Sequence, residues 1–186
     1  MIDKKTAICE ATFDLLQSGL NINELTIQQI ATKASIGKGT VYEYFKSKED
    51  ILLETIVYVI DIEINHVNRI IDESKTFEET INDICMNVLK THQKLSSFEI
   101  AFRNDEIFNK EHIAESGINK RLYETMNKLI QKGRKENIVN DNKSNEYASF
   151  VIIGSANSFC SHTHKKPENI NEYAKFAYMM IEGSLK

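Results

Sequence analysis

The sequence predicts an all-α protein of about nine helices, with an N-terminal three-helix domain built on a helix-turn-helix and a larger helical domain after it. Three observations predict it. Breakers are scarce: one proline, Pro167, and seven glycines in 186 residues. Apolar residues recur at three- and four-residue intervals, the spacing of one helical face. Successive runs open on capping signals, such as Thr26 with Gln29 and Thr76 with Glu79, in which a side-chain oxygen satisfies an otherwise orphaned backbone N–H.

The first helix runs from about Asp3 to Ser18, with Ile8, Ala11, Leu15 and Leu16 facing inward and Gly19 placed as a C-terminal cap. The second runs from Thr26 to Ala34, with Ile27, Ile30, Ala31 and Ala34 on one face. Ser35-Ile36-Gly37 is a turn in which Gly37 is expected to adopt the angles that a Cβ resists. A third helix of about two turns carries Val41 and Phe45 inward. Two short helices joined by a tight turn are the pattern whose second helix enters the major groove.

Ser47 with Asp50 opens a long fourth helix, to about Glu73, apolar on nearly every side, hence central. Helices then follow from Thr76 to about Leu95, from Ser97 to about Asn109 and from about Glu111 to Glu136, with Gly117 and Gly133 as points of weakness in the last. Asp141-Asn142 opens the eighth helix, to about Ser161. Asn169 with Glu172, just past Pro167, opens the ninth.

Charge narrows the function classes. Residues 1–48 hold six lysines against five acids, so the remaining residues carry −5 of the total −4. A weakly basic head on an acidic body suits site-directed DNA binding, not general coating of nucleic acid. Between Thr26 and Lys48 lie four lysines and one acid, Glu43, and neutralising phosphates supplies much of DNA affinity. Lys38 and Lys48 offer cations, Thr40 a hydroxyl, and Tyr42 and Tyr44 phenols. Gly37 and Gly39 let backbone approach phosphate closely. A surface helical hairpin with ordinary lysines would show the same bare pattern.

No secretory or membrane segment is read, because the longest strictly apolar run, Ile56 to Ile60, is far too short to span a bilayer. A cytoplasmic protein is expected. Cys9, Cys85 and Cys160 are odd in number and widely spaced, which reads as buried free thiols. Glu63 and His66 form one E-x-x-H pair, where a di-iron bundle needs two such pairs and two more glutamates. Cys160, His162 and His164 converge on a metal only where a helix ends. No metal, no cofactor and no catalytic set is expected.

The stretch Gly37 to Leu52, G-K-G-T-V-Y-E-Y-F-K-S-K-E-D-I-L, closely resembles the signature of the TetR family of bacterial transcriptional regulators. It also sits where that family places it. The resemblance in detail covers residues 1 to about 55; beyond that, length and helical pattern agree. It implies a DNA-binding domain at 1–48 and an effector-binding and dimerisation domain at 49–186. Residue by residue, it implies that Thr26 meets a phosphate at a helix start, that Lys38, Gly39 and Thr40 approach base edges or nearby backbone, and that Tyr42, Tyr44 and Lys48 hold phosphates.

The eighth and ninth helices carry the small-sided stretch 154–158 and a stripe through Tyr173, Phe176, Ala177, Met180 and Ile181. Taken alone, these serve core closure and a subunit contact equally. The resemblance implies a homodimer through these helices, with Phe150, Gly154, Ser158, Tyr173, Phe176, Ala177 and Met180 at the interface. Two recognition helices held about 34–36 Å apart would then read both halves of a palindromic operator. The resemblance further implies a repressor released by a small-molecule effector. Phe98, Phe102, Tyr123 and Asn157 could line the pocket, with Arg103 as an anion partner, for an apolar or aromatic ligand. The alternative is a TetR-like DNA-binding architectural or interaction protein without an effector.

Overall fold

The computed structural model describes residues 3–95 and 116–186, the side chains of 92–95 apart. Among the described residues there are eight α-helices, one short 3-10 segment and no strand. The helices are α1 (Lys4–Gln17), α2 (Ile27–Lys33), α3 (Lys38–Tyr44), α4 (Lys48–Glu73), α5 (Phe77–Leu95), α6 (Ile118–Lys135), α7 (Asn145–Lys165) and α8 (Ile170–Leu185). The helix expected over Ser97 to Asn109 lies outside the described residues. The chain divides into two compact units, Met1–Glu63 with Gln93–Asn119 and Ile64–His92 with Lys120–Lys186. No helix of the described residues is long and apolar enough to cross a membrane.

The first unit is held by local signals. α1 ends as Gly19 turns left-handed at φ +92°, so that the Leu20 N–H reaches back to the Leu15 carbonyl at 3.4 Å and that of Gly19 to Leu16 at 3.2 Å. α2 opens on the expected capping box: the Gln29 N–H donates to Thr26 Oγ1 at 3.2 Å and the Thr26 N–H to Gln29 Oε1 at 2.8 Å.

The turn after α2 differs from the expectation. Gly37 sits at φ −72° as the N-cap of α3; the left-handed residue is Ser35, at φ +56°. The reason is the same helix-ending motif as at α1. Ser35 donates to the Thr32 carbonyl and Ile36 to Ala31, at 3.1 and 3.0 Å, and Ile36 then packs on the core. Ile8, Leu16, Ile30, Val41 and Ile51 are fully buried in that core. Burial pushes the Cys9 thiol up to about 12, against a hydrogen bond with Thr55 that lowers it. Residues 51–61 of α4 are buried or half-buried on every side.

The second unit closes around Phe77, Ile130, Ile181 and Leu185, all fully buried. Lys132 Nζ donates to the carbonyls of Ile71 and Ser74 at 3.2 and 2.7 Å, capping the end of α4. Glu136 accepts the Phe77 N–H at 2.8 Å, capping the start of α5. Three boundaries shift from expectation. α6 begins at Ile118, after Gly117 in a left-handed turn at φ +76°. α7 is capped by Ser144, whose hydroxyl accepts the Tyr147 N–H at 3.1 Å; Asn140 instead ties the turn at Asp141-Asn142. Asn169 makes no side-chain cap, because Pro167–Asn169 already turns as a 3-10 segment that runs into α8.

Candidate nucleic-acid interface

α2 and α3 present their polar sides outward because their apolar sides are taken. Ile30, Ala31 and Val41 show no surface, and Phe45 almost none. Residues of α3 advance about 100° per position, so the flank opposite Val41 and Phe45 holds Gly39, Thr40 and Glu43. Tyr42 and Tyr44, two positions apart, stand on opposite shoulders of that flank and are 50% and 42% exposed.

Lys38 is exposed and its ammonium lies 6.0 Å from the centre of the Tyr42 ring. Thr40 is half-buried. A Cβ built on Gly39 meets nothing within 4 Å, and one on Gly37 only the Thr40 hydroxyl at 4.0 Å. The protein leaves both glycines open, so another molecule can come against bare backbone there.

Two expected phosphate residues have other work. The Thr26 hydroxyl donates to Gln29 Oε1 at 2.7 Å while accepting the Gln29 N–H, so its proton is spent on the cap. Lys48 is half-buried and donates to the Ile22 carbonyl at 3.2 Å, pinning the α1–α2 loop to the start of α4. An ammonium has three protons, so two remain. Sequence reasoning passes over Lys46, Gln28 and Thr32. All three are exposed: Lys46 where α3 meets α4, and Gln28 and Thr32 one turn apart on α2, at 3.5 Å. Their helical spacing was the available signal.

The remaining candidates separate. Phe98, Phe102 and Arg103 lie outside the described residues. Tyr123 is 64% exposed on α6 and Asn157 is exposed on α7. Of the interface candidates, Phe150, Gly154, Phe176 and Met180 are exposed and Ser158 and Tyr173 half-buried. Ala177 is buried in the core of its own unit. His162 Nδ1 lies 2.8 Å from the Ser158 carbonyl, and His66 pairs with Arg69. Among the described residues no three His, Cys, Asp or Glu side chains gather around one point.

Residues 9–55 match the family of bacterial regulatory proteins known as tetR, which spans the α1–α4 segment just described. The N-terminal domain is a TetR-family domain. Curated relatives agree. The chain is 26% identical over 120 residues to an uncharacterized HTH-type transcriptional regulator of Haemophilus influenzae, covering 56% of this chain and 64% of that protein. It is 31% identical over 96 residues to the uncharacterized HTH-type transcriptional regulator YhgD of Bacillus subtilis, covering 50% and 49%. The chain thus spans from about half to just under two thirds of these relatives. The fold extends further: the crystal structure of the transcriptional regulator FadR from Bacillus subtilis, in complex with stearoyl-CoA, superimposes with a TM-score of 0.66 at 16% identity, covering 97% of this chain and 98% of that one. The TetR head is therefore recognisable in sequence, while the body shares only its helical architecture.

Proposed function

We infer that this TetR-type regulator is a homodimeric repressor that binds a palindromic double-stranded DNA operator through α2 and α3 and is released by a small-molecule effector. Residues 1–48 serve as the DNA-binding head and 49–186 as the effector-binding and dimerisation body. One observation supports the reading above the others: inside the family-matched segment, α3 sets a lysine, a hydroxyl and two phenols around two open glycines, on a helix whose base is buried. Lys38 and Thr40 then approach base edges. Tyr42 and Tyr44, on opposite shoulders, reach phosphates on either side of the groove, and Lys48 uses its remaining protons on another. Few α3 side chains can read bases, so part of the selectivity comes from DNA shape.

The effector is taken to be apolar. A fold neighbour was crystallised with stearoyl-CoA, which makes long-chain acyl-CoA the first probe to try, beside aromatic dyes. An effector works here only by binding the DNA-competent and DNA-incompetent states differently. The alternative, a regulator without an effector, draws on the exposure of Tyr123 and Asn157, two residues that a pocket would bury. Fluorescence anisotropy on DNA flanking the gene, over a salt series and with the probes added, tests the reading. Binding should weaken log-linearly with salt, and one probe class should release the DNA and raise the melting temperature. Absence of binding to any flanking fragment would overturn the DNA reading. Binding that every probe leaves unchanged favours the alternative.

A further inference from the structure

α3 carries a single acid, Glu43, on the surface that is to meet a polyanion. The fold makes no use of its charge. Glu43 is exposed, and among the described residues its carboxylate forms no ion pair and no hydrogen bond. Two other acids of the first unit do serve the fold: Asp14 pairs with Lys33 at 3.1 Å, and Asp50 accepts the Lys46 N–H at 3.1 Å. A carboxylate without a partner repels the phosphates of a duplex. At this place it costs affinity unless the duplex offers it a donor.

Its place on the helix is the second observation. Successive side chains of a helix advance about 100°. Val41 and Phe45 are buried, and Glu43 lies about 180° from the midpoint between them. Tyr42 and Tyr44 stand about 100° to either side of Glu43. Nothing else on α3 points outward along that line as directly: Gly39, one turn back, has no side chain, and Thr40 is half-buried. A Cβ on Gly39 would meet nothing within 4 Å, so the groove can close on the helix there. With the two phenols turned toward the two backbones, Glu43 is carried to the base edges between them.

Base chemistry selects its partner. An ionised carboxylate only accepts hydrogen bonds. In the major groove guanine shows two acceptors, and thymine an acceptor and a methyl group, so neither offers a donor. The adenine amino group does, but in an A·T pair it lies between two acceptors, adenine N7 and thymine O4. The cytosine amino group has an acceptor on one side only, the guanine O6. A carboxylate therefore accepts best from cytosine and is repelled by the other edges, so it discriminates by repulsion as well as by contact. We propose that Glu43 fixes one base pair of each operator half-site as C·G, its carboxylate accepting the cytosine N4–H. This rests on the DNA-binding reading above and adds the base that one side chain selects.

Selection from a pool of randomised duplexes tests it, with the full chain and its Glu43→Gln and Glu43→Ala variants. The unsubstituted chain should enrich one fixed C·G pair in each half-site. Glu43→Gln should enrich A·T at that pair, because a carboxamide accepts from N6 and donates to N7 of adenine. Glu43→Ala should show no preference there. In anisotropy titrations, exchanging that C·G for T·A should weaken the unsubstituted chain about tenfold and leave Glu43→Ala almost unchanged. Melting temperatures should stay close, since the carboxylate has no partner in the fold. If both variants enrich the same sequence as the unsubstituted chain, Glu43 is a solvated acid and the DNA-binding reading stands without it. If none of the three enriches any duplex, the DNA-binding reading itself falls.

Discussion

α3 and α7 both turn a broad flank to solvent, and they do so with opposite chemistry. α3 shows glycine, a hydroxyl, two phenols, a lysine and one acid, Glu43; α7 shows Phe150, Ile153 and Gly154 without a charge from Ala148 to Ser161. Each contains an open glycine, Gly39 or Gly154, where a Cβ would touch nothing. Gly133 of α6 is the reverse case, since a Cβ there would stand 2.7 Å from Val139 Cγ2 and 3.0 Å from the Phe77 ring. Helix glycines are therefore no single class in this chain. Gly133 is closed by its own core, while Gly39, Gly154 and Gly183 are open; the surface suits a polyanion beside Lys38 at the first and a second apolar face beside Phe150 at the second.

Charge insertion should separate the two flanks most sharply. Ile153→Lys on α7 would bury an unpaired charge in the dimer, a loss of about 3 kcal/mol or more, so sedimentation equilibrium should show dissociation weakened at least hundredfold. Glu43→Lys on α3 should instead tighten binding to DNA of unselected sequence and steepen its salt dependence. If Ile153→Lys left the dimer intact, the α7 face would be ordinary surface.

Alanine at the glycines comes next. Gly133→Ala should destabilise by about 1–3 kcal/mol through overpacking, and the melting temperature should fall accordingly. Gly39→Ala should hold or raise stability, by up to about 1 kcal/mol, yet weaken DNA affinity by blocking backbone approach. Unchanged DNA affinity in Gly39→Ala would show that the duplex never comes that near.

A finer contrast lies between two lysines. Lys48→Ala should weaken binding to all sequences about equally and flatten the salt slope by roughly one unit. Because Lys48 also holds the Ile22 carbonyl, it should cost about 1 kcal/mol of stability as well. Lys38→Ala should leave stability alone and change which sequence is preferred. A Lys48→Ala protein that melts lower but keeps its slope would make that lysine structural.

The smallest effect is in pH. Burial raises the Cys9 and Cys85 thiols from 9.0 to about 12. A raised folded value means that their stabilisation is complete below pH 9 and is lost as pH rises toward 12. Denaturant midpoints should fall over that interval, and less steeply in Cys9→Ala.

Most helix starts were legible because their causes are local. Thr26 and Gln29 are three residues apart and close their box without help from the rest of the chain. The turn was legible in place but not in detail. Glycine is the usual left-handed residue, yet here the Ile36 N–H reaching the Ala31 carbonyl sets the geometry, and Ser35 accepts the strained angle. Lys48 reads as a phosphate contact because nothing local ties it to Ile22, a residue 26 positions earlier. Phe150 and Phe159, nine residues apart on one helix, look alike in sequence; packing buries one and leaves the other 79% exposed.

The amino-acid order alone determined most of the helices, the caps at Thr26, Ser47 and Thr76 and the helix-turn-helix motif, since hydrogen bonds and apolar spacing over three to five residues suffice for each. Only the tertiary structure decided which flank of each helix stays outside, which glycines are closed, and that the Ser155 hydroxyl is left without a partner. Those outcomes depend on neighbours far away along the chain, and local periodicity carries no record of them.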